Sequence, residues 1–245
     1  MNDWMRKGWK VAGIAALACL CACSGEKTRT GELKTDTQSV RLGSAKSVSV
    51  ELKMGAGDLK VKGGAGGLMA GTFSYNVPSW KPKIEYRESG DRGTLTIEQP
   101  AGGHSNFGDT KYSWALQLNN KLPMDLHVEM GAGSSELALR DLSLTKLHVE
   151  VGAGRSIVDL TGDWMHDVDA HIEGGVGNAT VKLPRNVGVR VTVEGGLGSV
   201  SAPDFRRDGD AYVNEEYGKS PFTVKVRVEG GVGKVTLELS GGPTV

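Results

Sequence analysis

Three histidines and three glutamates are the residues in this chain whose types and spacing could do chemistry together. "LHVEMGAG" places His127 two residues before Glu129, "LHVEVGAG" places His148 before Glu150, and "AHIEGGVG" places His171 before Glu173. Two residues apart on an extended strand share one face. Imidazole and carboxylate are fair ligands for Zn²⁺. A metal site also needs a surrounding shell that orients its ligands, and exposed side chains on a flat sheet lack one. The ladder is therefore expected to be solvated or partner-facing surface, with no metal and no other cofactor. A metal-binding His/Glu surface is the alternative.

Other motifs weaken on inspection. "GGVGNATVKL" approaches a calcium-binding nonapeptide, but Ala179 stands where that repeat needs aspartate. "GGVGK" approaches a phosphate loop, but Val235 follows Lys234 where serine or threonine belongs. No G-x-S-x-G is present. Trp114 and Trp164 read as packed edges or caps. Phe205, Tyr212 and Tyr217 could form an aromatic edge on a loop that contacts a ligand. No residue is assigned a catalytic role.

The elements that position the ladder follow from an internal repeat. Aligned on the first glycine of each G-x-G, the series is Gly131, Gly152, Gly175, Gly196 and Gly231, spaced 21, 23, 21 and 35 residues apart. The second glycines are Gly133, Gly154, Gly177, Gly198 and Gly233. Before each corner, residues alternate with period two. Leu126, Leu147, Ala170, Val191 and Val226 lie on one face with Val128, Val149, Ile172, Val193 and Val228. After each corner a second alternating strand follows, as in Leu137 and Leu139 or Val158 and Leu160. Two half-buried strands meeting at a sharp glycine bend are implied.

A strand pair recurring every 21–23 residues predicts an all-β, single-stranded β-solenoid of stacked, parallel coils. An antiparallel sandwich with hairpins at the corners is the competing fold. In the solenoid, Glu129, Glu150, Glu173, Glu194 and Glu229 form one outward column. His127, His148, His171, Thr192 and Arg227 form a second, and Asp125, Lys146, Asp169, Arg190 and Lys225 a third. Like charges on paired strands are destabilising. The glutamates must splay into water, draw on the third column, or hold a cation.

The chain divides accordingly. Residues 1–22 read as an export signal, with Arg6, Lys7 and Lys10 before an apolar run too short to span a bilayer. "LCAC" ending at Cys23 resembles the lipobox of bacterial lipoproteins, which implies lipid on Cys23. All three cysteines lie between 19 and 23, so the remaining body can form no internal disulfide. Residues 23–44 read as a flexible polar tether, 45–108 as an N-terminal capping β subdomain, and 109–245 as the solenoid with a loop inserted near 203–220. Net charge is zero overall and near −2 once Asp3, Arg6, Lys7 and Lys10 are removed, which gives no basic footprint for nucleic acid.

"VSVELKMGAGDLKVKGGAGGLMAGTFSYNVPSWKPKIEY" resembles the N-terminal domain of the toast-rack family of bacteria. "LPMDLHVEMGAGSSELALRDLSLTKLHVEVGAG" and the segment from Leu183 to Leu239 resemble its β-solenoid part, which is similar to the C-terminal domains of cell-wall-active antibiotic response proteins. The likeness spans residues 45–240. The family's activity is uncharacterised and its adhesin label rests on shape, so the resemblance implies no catalytic or binding residue. Together these readings predict an exported, non-catalytic lipoprotein of the cell envelope, on the outer membrane where the cell has two. It would present a rigid solenoid for binding, adhesion or stress-related scaffolding, toward a wall polymer or an envelope protein. A β-helix enzyme acting on polysaccharide is the alternative.

Overall fold

The structure, a computed structural model, describes residues 30–101, 109–196 and 198–240. The expected signal, Cys23 and the start of the tether lie outside the described residues. The strands are β1 (Lys34–Val40), β2 (Ser47–Gly63), β3 (Met69–Tyr75), β4 (Lys83–Ser89), β5 (Arg92–Glu98), β6 (Tyr112–Leu118) and β7 (Met124–Ala138). They continue as β8 (Leu144–Asp159), β9 (Val168–Pro184), β10 (Gly188–Gly195), β11 (Gly198–Ser201), β12 (Arg206–Asp208), β13 (Ala211–Val213) and β14 (Thr223–Ser240). No α-helix occurs among the described residues; Pro78–Trp80 forms one 3₁₀ turn.

The fold is the all-β stack that the repeat predicts. Each coil is one long strand bent at its G-x-G, with two arms whose inner faces enclose the core. Val128 pairs with Val149 and Val149 with Ile172, in parallel and in register. All three are buried, as are Leu137, Leu139, Val158 and Leu160 on the second arms. Short turns close the third side, where Leu142 and Trp164 are buried and the Trp164 indole donates to the Leu160 carbonyl at 2.8 Å.

The corner glycines are needed although most of them are exposed. Gly133, Gly154, Gly177 and Gly233 hold φ between 125° and 152°, where a side chain is strained. A Cβ on Gly154 would also overlap the Gly133 carbonyl oxygen, and one on Gly152 would crowd that of Gly131. The coils thus approach closest at the bend, backbone against backbone. In the β10/β11 coil the positive φ moves to Gly195, at 139°.

Three expectations are corrected. First, coil order in space is not chain order. β14 lies between β9 and β10, so the Gly231 corner stacks on Gly175, and the Gly196 corner is outermost. The expected inserted loop supplies the length for this return. Its β12–β13 hairpin pairs with the outer edge of β10, and buried Asn214 accepts from the Val189 N–H at 2.9 Å and donates to the Val187 carbonyl at 2.7 Å. Second, part of the expected tether is strand. β1 pairs antiparallel with β3 along its whole length, and Asp36 accepts from the Tyr75 hydroxyl at 2.7 Å and faces Lys81 at 3.3 Å. It covers an edge that would otherwise stay open. Third, β2 is itself the first coil, with a Gly55–Ala56–Gly57 corner in register with β7, and not a separate cap. Below it the arms diverge. β5 and β4 extend the first arm, while β6, β3 and β1 extend the second. β6 therefore belongs with this end, and Trp114 packs edge-on against Phe73 and Tyr112 at 5.7 and 5.8 Å.

One buried carboxylate ties a turn to the stack. Asp159 pairs with Arg140 and accepts from the Thr161 hydroxyl at 2.6 Å and its N–H at 3.0 Å. Burial alone would raise this carboxyl. The Thr161 hydrogen bonds and the Arg140 charge outweigh it and hold the group below its ordinary value.

Gly154→Val is expected to lower unfolding free energy by more than about 2 kcal/mol through φ strain and carbonyl overlap. Ala153→Val, at the exposed position where the next coil has Val176, should change it by less than about 0.5 kcal/mol. Urea melts that rank the two variants the other way refute the corner assignment. A carboxyl held low in the folded state stabilises above its unfolded pKa, near about 3.9, and that stability disappears as pH falls through the folded value. Wild type should therefore lose stability more steeply than Asp159→Asn between about pH 5 and 2 in pH-dependent melts.

Candidate functional site

The ladder stands on the outer face of the first arms. Inward Leu126, Val128 and their equivalents force His127 and Glu129 outward by period-two alternation. The register brings all six expected residues together. His127 lies beside His148 and His148 beside His171, while Glu129, Glu150 and Glu173 run alongside. The imidazoles pack edge to face at 4.6 and 5.1 Å between centroids. They are about two-thirds covered, with side-chain exposures of 37%, 30% and 34%.

Each imidazole reaches the glutamate column. His148 Nε2 lies 2.9 Å from Glu150 and 3.9 Å from Glu173. His171 Nε2 lies 3.5 Å from Glu173 and 3.0 Å from Glu229. His127 Nε2 lies 3.4 Å from Glu129, is shielded from solvent and makes no hydrogen bond. The hydrogen bond from His148 holds the Glu150 carboxyl below its ordinary value, with smaller help from the charges of His127 and His171.

Because β14 is inserted, the columns read differently in space. Glu229 follows Glu173 and Glu194 ends the row. Arg227 follows His171, and Thr192 comes last. The third column alternates in sign as Asp125, Lys146, Asp169 and Lys225, then ends on a second cation, Arg190, stacked on Lys225. Arg92 pairs with Asp125 at 2.6 Å at one end, and Asp210 with Arg190 at 3.2 Å at the other. Burial would raise the Asp125 carboxyl, but Thr145 and Arg92 outweigh it and hold it low.

Two features escaped the sequence reading. β2 extends the columns, with Glu51 beside His127 and Lys53 beside Glu129. Aligning "VELKMGAG" on Gly55 would have found both. A second concavity opens at the corners of the last three coils. Met54, Met130 and Val151 fill the position before the corner in the first coils, and the equivalent residues are Gly174, Gly230 and Gly195. The vacated space is a cleft of about 140 Å³ with Ile172, Val193, Val228 and Val235 in its wall. The switch from "MGAG" and "VGAG" to "GGVG" signals it in the sequence. Two of the three loop aromatics do not stand free. Phe205 and Tyr212 pack against the core, and the Arg207 guanidinium covers the Tyr212 ring at 4.2 Å.

The family model for the N-terminal domain of toast_rack, DUF2154, matches residues 29–182. The chain belongs to the toast-rack family. This toast-rack chain is similar to a solved structure from Clostridium sporogenes described as a "putative cell adhesion protein". The two share 33% identity with a TM-score of 0.81, over 85% of this chain and 100% of that one. Two solved structures described as "putative adhesin" also match. The one from Bacteroides fragilis has 10% identity and a TM-score of 0.28, over 85% of this chain and 98% of that one. The one from Parabacteroides merdae has 12% and 0.26, over 86% and 97%. No curated protein matches this toast-rack chain. Among its described residues, no helix is long and apolar enough to cross a membrane.

Proposed function

We propose that this chain is a non-catalytic cell-envelope protein, anchored by lipid on Cys23, that uses its rigid stacked body to bind or adhere to a wall polymer or an envelope protein. The observation that carries the reading is the outer face of the first arms. Glutamate occupies five successive rungs and histidine three, so the face offers one chemistry repeated along its length. A repeated array suits a repeated or extended partner. A catalytic centre needs groups that depart from their neighbours, such as one acid held apart from one base. The Clostridium sporogenes neighbour, described as a "putative cell adhesion protein", supports the same reading. Charge supports it too, because a chain with zero net charge has no general pull toward nucleic acid.

The stack suits display. Its arms are held by parallel ladders on both sides, and its N-terminal end is covered by β1 and β4. Such a body loses little conformational freedom on binding, which limits the ordering cost of association.

Two experiments test the proposal. Cys23→Ser should move the protein from the membrane fraction to the soluble one, and a variant that stays with the membrane refutes the anchor. The purified full chain should be retained saturably on whole cells or insoluble wall polymer. The triple change Glu129→Lys, Glu150→Lys and Glu173→Lys should weaken retention by about tenfold or more, a difference of about 1.4 kcal/mol. Saturable polysaccharide hydrolysis abolished by Glu150→Gln would overturn the reading in favour of an enzyme.

A further inference from the structure

We infer that the histidine ladder is a transition-metal site centred on His148, which takes one Zn²⁺-class ion through two imidazoles and one carboxylate. This goes beyond the adhesion reading and does not depend on it. Three overlapping groups on the first-arm face have their ligand atoms within 4.8 Å of one another. They are His127, His148 and Glu150; His148, His171 and Glu173; and Glu51, His127 and Glu129.

The distances fit a metal. Zinc bonds nitrogen and oxygen at about 2.0–2.2 Å, which puts neighbouring ligand atoms of a tetrahedral site about 3.4 Å apart. Around His171 and Glu173 the measured separations are 3.5 Å from His171 Nε2 to Glu173 and 3.9 Å from His148 Nε2 to Glu173. Around Glu150 the separation from His148 Nε2 is 2.9 Å. Rotamer changes in the imidazoles and the carboxylate would close either set, whose ligand atoms already lie within 4.8 Å of one another, to bonding distance. The fourth position faces solvent, where water can complete the shell.

The surroundings favour the ion. Neighbouring rungs stack carboxylates about 4.8 Å apart, which costs free energy unless a cation offsets it. The flat sheet was expected to leave the imidazoles unsupported. Instead they pack edge to face, so each ring is held by the next. His127 Nε2 is a solvent-shielded polar atom without a hydrogen-bond partner, aimed at Glu129, and ligation would satisfy it. Two imidazoles with a carboxylate select zinc, nickel or copper over calcium or magnesium, which prefer oxygen ligands.

His148 is common to both two-histidine groups, and its Nε2 can hold one ion at a time. This gives an asymmetry that a merely polar surface would not show. His127→Ala leaves His148, His171 and Glu173 complete. His171→Ala leaves His127, His148 and Glu150 complete. His148→Ala destroys both.

The test is calorimetric titration of ZnCl₂ into the full chain with its cysteines alkylated, so that thiolates do not compete. Wild type should bind one tight equivalent. His127→Ala and His171→Ala should each weaken it by less than about fivefold. His148→Ala, and the double change of His127 and His171 to alanine, should weaken it by at least about tenfold, as loss of a ligand requires. Thermal melts in EDTA should be the same for all variants, which separates lost ligation from lost folding. Calcium should produce no heat at the same concentration. Absence of saturable zinc binding, or a His148→Ala variant that binds as wild type does, overturns the assignment. Neither result bears on retention by cells or wall polymer, which the preceding experiments measure without metal.

Discussion

The structure depends on one close contact, between glycine and the carbonyl of the glycine one coil away. At every bend the backbone of one coil occupies the space that a side chain on the next would fill. Parallel strands elsewhere keep their spacing through ladder hydrogen bonds, with side chains filling the gaps. At the bend there is no such gap, so the coils touch through main chain alone. A residue with a Cβ there would push two coils apart, and the ladders on both arms would lose register with it. Since register decides which side chains face inward, the buried valine column and the exposed histidine column are both consequences of that contact.

The same contact explains why part of the fold could be read directly and part could not. Sequence spacing reveals that glycine must stack on glycine, and period two reveals which face is buried. Neither reveals which glycine stacks on which. Gly231 fits above Gly175 as well as Gly196 does, because "EGGVG" occurs in both β9 and β14 and "EGGLG" between them. The final strand takes the interior place, where both its edges are paired. The shorter β10/β11 strand is left at the end, with a hairpin over part of it. An 18-residue strand leaves more unpaired backbone than an interrupted one if it lies at an edge, so this order reduces exposed ladder. β1 was hidden for a different reason. "KTDTQSV" has no apolar alternation, because both its faces are largely exposed and it is held by backbone pairing and the Asp36–Tyr75 hydrogen bond.

The candidate site was legible to the extent that it follows the repeat. His127, His148 and His171 were placed on one column by alignment alone, and so were the glutamates. Their interaction with one another was not legible, because it depends on rotamers and on the width of the stack. The cross-rung reach of His171 to Glu229 needed the swapped order of the last coils, since Glu229 is 58 residues away in the chain. Where residues break the repeat, as Gly174, Gly230 and Gly195 do before the corner, the break appears as a cleft in the core and not as a change in fold.

Repetition also constrains what the outer face can be. A stack that requires the same backbone at each rung could carry any polar residue outside, since exposed positions contribute little to stability. The third column uses that freedom to alternate charge over four of its five rungs, which is what minimising repulsion predicts. The glutamate column does the opposite through five rungs, with Lys53 on the next rung beyond Glu129 and the histidines alongside. Two columns on one sheet, under the same packing, have therefore taken opposite electrostatic solutions. The alternating one offsets its own charges along most of its length, and Arg92 and Asp210 pair with its two ends. The uniform one keeps carboxylates on five neighbouring rungs. That asymmetry is a property of the surface and not of the fold, since the same parallel ladders carry both columns.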